Sequence, residues 1–146
     1  MPTAARLVAA ISLALVAWAV SLQVMRRMTE IADFGAFVFV NIGLGLVVGW
    51  VVMGHRAHRG LVATLNNGIT GVAVLVFWAL VVQGANEMFR LALNRRYHNP
   101  VEAIYAIFEN AANYAVALWA PEIVATLLAG GVLAGMTTRA AAKMWR

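Results

Sequence analysis

The chain has 146 residues, enough for one domain, and 63% of them are hydrophobic while 12% are charged; a soluble domain carries roughly 45–50% and roughly 25%. The net charge of +5 sits at the edges of apolar runs, where lipid headgroups and insertion topology explain it better than nucleic acid would. Cysteine is absent, which removes disulfides, thiolate nucleophiles, iron–sulfur clusters and thiol redox chemistry together.

Leu7–Val24 holds no charged residue, and a run of this length spans a bilayer core of about 30 Å as a helix. A first span over 5–24 follows. Its basic start and the triplet Ala17-Trp18-Ala19 resemble a secretory signal, but we read an uncleaved first helix. The polar link Arg26–Asp33 leads to a second charge-free run, Phe34–Gly54, giving a second span over 34–53. The segment from Gly54 to Gly60, with its two histidines and two arginines, is expected to form a tight turn.

A third helix starts near Leu61, crosses the membrane over 66–88 and continues through Glu87, Arg90 and Asn94. It should stop near Arg96, because Pro100 lacks a donor and pushes Asn99 out of helical geometry. Over 100–119 apolar residues recur at Val101, Ile104, Tyr105, Phe108 and Ala112, opposite Glu102, Glu109 and Asn113. That spacing predicts an amphipathic helix at the membrane interface, its apolar face covering part of the bundle. A fourth span over 121–138 begins with Pro121 and Glu122, both suited to a helix start. Its uncharged run is short, so Arg139 would have to snorkel.

The expected architecture is therefore all-α: an integral membrane four-helix bundle in one domain, with an interfacial amphipathic helix between the third and fourth spans. With four spans, Arg6, Arg56, Arg59, Arg139, Lys143 and Arg146 share one side, and Arg26, Arg27, Arg90, Arg95 and Arg96 the other. All the acids fall on the second side. Both termini are expected in the cytoplasm. Trp18, Trp50, Trp119 and Trp145 lie towards span ends, as an aromatic belt requires, while Trp78 sits deeper.

Gly45–Gly49 and Gly131–Gly135 both have the G-x-x-x-G spacing that lets helix backbones approach closely. Either pair can serve packing within the bundle or contact with a partner protein. The second helix has no cover in sequence, so Gly45 and Gly49 are the expected intermolecular face. Glu87 and Arg90 stand at i,i+3 as an interfacial ion pair, with Arg95 and Arg96 as further interfacial polar groups. The deep polar residues Ser12, Asn41, Asn67, Thr70 and Gln83 are neutral, as helix-bridging groups are, and disfavour an ion-coupled transport cycle.

His55, His58 and His98 lie in turns and loops, away from the depth at which a haem or pigment would be held. His55 and His58 could hold a metal on one turn, but without a third ligand they read as interfacial polarity beside Arg56 and Arg59. No catalytic motif is present, neither G-x-S-x-G, a P-loop nor H-E-x-x-H. We expect no enzyme activity, no cofactor and no metal site; the expected partners are membrane lipids and other integral membrane proteins.

Several stretches together resemble the TrgA family of bacterial tellurium-resistance membrane proteins. They are the opening MPTAARLVAA, GWVVMG at Gly49–Gly54 with RG at Arg59–Gly60, LVFWAL at Leu75–Leu80, and EM at Glu87–Met88. RRY at Arg95–Tyr97, PVEA at Pro100–Ala103, PE at Pro121–Glu122, GGVLAG at Gly130–Gly135 and the final WR continue the series over nearly the whole chain. The chain departs from that pattern at His98-Asn99, where the family tends to have Asp-Gly, and at Phe37–Val40, where the family tends to have more polar, proline-containing sequence before the second span. The resemblance implies a bacterial inner-membrane protein linked to tellurite resistance. A second reading is an accessory structural subunit of a photosynthetic (reaction centre–light-harvesting) or respiratory complex, without a histidine-ligated pigment or haem of its own.

Overall fold

The computed structural model describes residues 2–28, 35–56, 60–93 and 98–145. They form five α-helices: α1 (Pro2–Arg27), α2 (Phe37–Val48), α3 (Leu61–Leu93), α4 (Pro100–Leu118) and α5 (Pro121–Met144). No strand occurs among the described residues. Four segments are long and apolar enough to cross a membrane, Ala4–Arg27, Phe37–Arg56, Leu61–Leu93 and Pro121–Met144. At 1.5 Å per residue even the shortest is about 30 Å long. Large apolar side chains such as Leu15, Phe39, Val47, Phe77 and Leu133 are exposed on the outer faces of these helices, which in water would be an aggregating surface and in a bilayer is the lipid face. The chain is thus a multi-pass helical membrane protein by length and composition.

The second span does not end at Met53 as expected. After Val48 the helix widens into a π turn over Gly49–Met53 and tightens into a 3₁₀ turn over Gly54–Arg56, carrying Met53 fully into the core. The fourth span also outruns expectation. It continues past Thr138 to Met144, because Ala141 and Ala142 are buried and Ala142 packs on Ala5 of α1. At the other chain reversal Asn99 is extended (φ −146°, ψ 160°) and its side chain accepts from the Glu102 amide at 2.8 Å, with Pro100 next in line. This is the helix start that Asn and Pro dictate.

The helices pack through small residues. α1 runs antiparallel to α2 on one side and to α5 on the other; the second pairing is pinned by hydrogen bonds from Ser12 to Thr137 at 3.0 Å and from Gln23 to Thr126 at 2.9 Å. α3 closes the bundle opposite α1 and lies against α5. One buried cluster joins Ala9, Leu13, Ala17, Val48, Met53, Val72, Leu75 and Ala134. A second joins Val20, Val24, Phe37, Tyr114, Ala120 and Ile123 where α4 meets the bundle.

α4 is amphipathic, but its apolar stripe points the other way from the expectation. Val101, Ile104, Tyr105, Phe108 and Ala112 are exposed, Tyr105 and Phe108 at 72% and 71%, and Trp119 beyond them at 79%. The flank that meets α3 instead carries Ile107 and Ala111, and the buried residues of the helix are Ala106 and Tyr114. The reason is Gly84: a Cβ there would stand 2.7 Å from the Ile107 carbonyl oxygen and 3.4 Å from Ala111 Cβ. So close a backbone approach selects small residues over large apolar ones.

Candidate functional site: an apolar cavity with one polar strip

Residues of α1, α2, α3, α4 and α5 line a partly open cavity of about 50 Å³. Its wall is almost wholly apolar, with Val20, Val24, Leu75, Leu80 and Leu127 among its residues. One strip of it is polar. Ser21 on α1 donates to the Ala17 carbonyl at 2.6 Å and accepts from Asn41 Nδ2 of α2 at 2.9 Å. Gln83 of α3 donates through Nε2 to Asn41 Oδ1 at 3.1 Å and to the Phe37 carbonyl at 3.3 Å. All three side chains are buried, so the chain of bonds joins three helices away from bulk water, where an unmade bond is costly.

Phe37 and Tyr114 close one end of the cavity as a stacked pair, ring centroids 5.7 Å apart and 18° between planes. Burial pushes the Tyr114 phenol above the usual tyrosine range; the nearby Glu87 carboxylate pushes the same way and Arg90 opposes it. Tyr114 therefore stays a neutral donor at physiological pH. The cavity can admit a few water molecules or a small apolar group such as a chain end. Its described lining has no carboxylate, amine or imidazole to carry a proton or an ion.

Neither G-x-x-x-G pair faces this cavity or the outside. A Cβ on Gly45 would stand 2.8 Å from Ala14 Cα, and one on Gly49 would collide with the Ala9 carbonyl of α1. This corrects the expectation of an intermolecular face on the second helix, since α1 already fills it. On α5, a Cβ on Gly135 would stand 2.6 Å from the Thr64 carbonyl and one on Gly131 would stand 3.1 Å from the Gly68 carbonyl. Both pairs are spent on packing between helices of the same chain. Glu87 and Arg90 form an ion pair at 2.7 Å beside Tyr114. Arg95 and Arg96 lie outside the described residues, as do His58, Arg59 and Asn94.

Of the deep polar groups, Asn41 and Gln83 meet each other, Ser12 meets Thr137, and Asn67 donates to the Met53 carbonyl at 3.0 Å while its Oδ1 has no hydrogen-bond partner among the described residues. Ser21, Phe37 and Tyr114 were missed by sequence reasoning. Ser21 sits twenty residues before Asn41, a distance without local meaning, and Phe37 and Tyr114 look like any interfacial aromatics. The chain matches no protein-family model, no curated protein sequence and no solved structure.

Proposed function

We propose that this chain is a non-enzymatic component of the bacterial inner membrane, of the TrgA kind, that acts by associating with other integral membrane proteins. The observation that carries this reading is the division of its surfaces. The glycine faces and the neutral polar chain Ser21–Asn41–Gln83 are used up in internal packing, whereas the apolar stripe of α4 is left outward. In this reading α4 lies at the membrane interface with Ile104, Tyr105 and Phe108 turned to lipid or to a neighbouring membrane protein, and both termini are cytoplasmic.

Tellurite tolerance would then follow indirectly, from the state of the membrane or of electron transport. A chain without cysteine has no thiol with which to reduce tellurite itself. The test is mild detergent extraction followed by native separation, set beside the tellurite sensitivity of a deletion strain. Migration with a large photosynthetic or respiratory assembly would favour the accessory-subunit form of the proposal. Migration only as a small free protein would remove partner association altogether, and unchanged tellurite sensitivity would remove the link to resistance.

A further inference from the structure

The two ends of the bundle differ in a way that insertion topology alone does not require. At the end formed by the start of α1, the turn after α2 and the finish of α5, the described titratable residues are Arg6, His55, Arg56, Arg139 and Lys143, and none of the described acids is there. Glu87, Glu102, Glu109 and Glu122 lie at the opposite end, where Glu122 meets Arg27 at 3.9 Å and Glu87 meets Arg90. The basic end is also shaped. Gly54 makes room for the Arg6 side chain, which a Cβ there would strike, and Arg6 Nη2 lies 3.0 Å from His55 Nε2. A guanidinium cannot accept a hydrogen bond, so Nε2 is the acceptor and the imidazole proton sits on Nδ1. The exposed His55 thereby presents a donor next to a fixed cation. Ala5 packs on Ala142, which brings the neighbouring Lys143 to the same end.

We infer that this end binds the phosphate of an anionic phospholipid, with Arg6 and His55 as the core of the seat and Arg56 and Lys143 as flanking charges. A phosphodiester supplies the fixed acceptor oxygens that a guanidinium and an imidazole N–H select. A lipid rather than free phosphate is the ligand, because Leu7 next to Arg6, and Trp50 and Val51 one turn before His55, are exposed apolar side chains against which acyl chains can lie. Clusters of basic residues at a span end attract anionic lipid in this manner.

The full-length protein in a neutral detergent, given phosphatidylglycerol or phosphatidylcholine and followed by native mass spectrometry, tests the site. Phosphatidylglycerol should be retained preferentially, and Arg6→Gln should lower its retention by about fivefold, the scale of one interfacial charge. Arg26→Gln, an exposed arginine at the opposite end, should leave it unchanged. Should Arg6→Gln fail to fold, the exposed pair Arg56→Gln and Lys143→Gln must weaken retention instead. Equal retention of the two lipids, undiminished retention in these variants, or displacement of phosphatidylglycerol by millimolar inorganic phosphate would each overturn the inference.

Discussion

Gly68 of α3 and Gly131 of α5 meet backbone to backbone: a Cβ on Gly68 would collide with the Gly131 carbonyl oxygen. In lipid the helices gain nothing from hiding apolar side chains, so contact of this closeness is itself the attraction. Gly68→Ala should destabilise the fold by about 1–3 kcal/mol, the usual cost of overpacking a fixed site. Gly43, with open space around its missing Cβ, is the control; Gly43→Ala should be neutral or gain up to about 1 kcal/mol from helix propensity. Reversible unfolding in mixed micelles measures both, and equal effects would show that the α3–α5 contact is looser than described.

The same geometry governs Gly45 and Gly49. Replacing both with Ile should stop the protein from accumulating, because the new side chains would have to displace the α1 backbone at Ala9, Ala10, Leu13 and Ala14. Normal accumulation, with loss only of a co-purifying partner, would restore the second helix as an outward docking face.

Asn41 and Gln83 provide an energetic test of the polar strip. Their hydrogen bond at 3.1 Å should appear in a double-mutant cycle of Asn41→Leu and Gln83→Leu as a coupling of about 0.6 kcal/mol, and below about 1.7 kcal/mol, the range found for such bonds in membranes. Each single variant should cost more than its share of that coupling. Asn41→Leu also removes the donor that Ser21 accepts from, and Gln83→Leu removes one of the bonds made to Phe37. A cycle that closes to zero would mean the two amides do not interact.

The four spans were legible because charge-free runs and bilayer thickness leave little else for such a sequence to do. Their ends were not. The uncharged run stops at Thr138, yet α5 continues through Arg139 to Met144, since Ala141 and Ala142 find packing partners that composition cannot reveal. The G-x-x-x-G spacings told which helix faces are small without telling what meets them. Gly45 finds α1 and Gly131 finds α3 only once the topology is known. The cavity was still less visible, since Ser21, Asn41 and Gln83 lie on three helices and their bonds depend on relative rotation. Phe37 and Tyr114 meet across about half of the chain length.

Tyr114 gives the fold a pH limit on its alkaline side. Its folded pKa is raised, first by burial and then by Glu87, so the folded state keeps the phenolic proton more tightly than the unfolded state, whose pKa is about 10. The stability linked to this proton is fully present below about pH 10 and falls as pH rises through the unfolded and then the folded value. Tyr114→Phe should remove that alkaline slope while keeping most of the stacking on Phe37. Parallel unfolding curves for the two proteins between pH 9 and 11 would contradict it.

The direction of the α4 stripe can be tested directly, because a chain without cysteine accepts single reporters without background. Phe108 and Glu109 are adjacent, both exposed, and project on different faces of the helix, about 100° apart as successive residues must be. If α4 lies at the interface with its stripe in lipid, Phe108→Cys should react slowly with a charged, water-soluble maleimide in intact membranes, and Glu109→Cys should react fast. A thiol in hydrocarbon does not ionise readily, and the thiolate is the reactive form, so protection reflects depth as well as access. Detergent solubilisation should then release Phe108→Cys. A side chain held by a firm protein partner would remain shielded until that partner is removed, which separates lipid from protein as the cover of this face. Equal rapid labelling at both positions in the membrane would place α4 in water, and the interfacial arrangement would have to be abandoned.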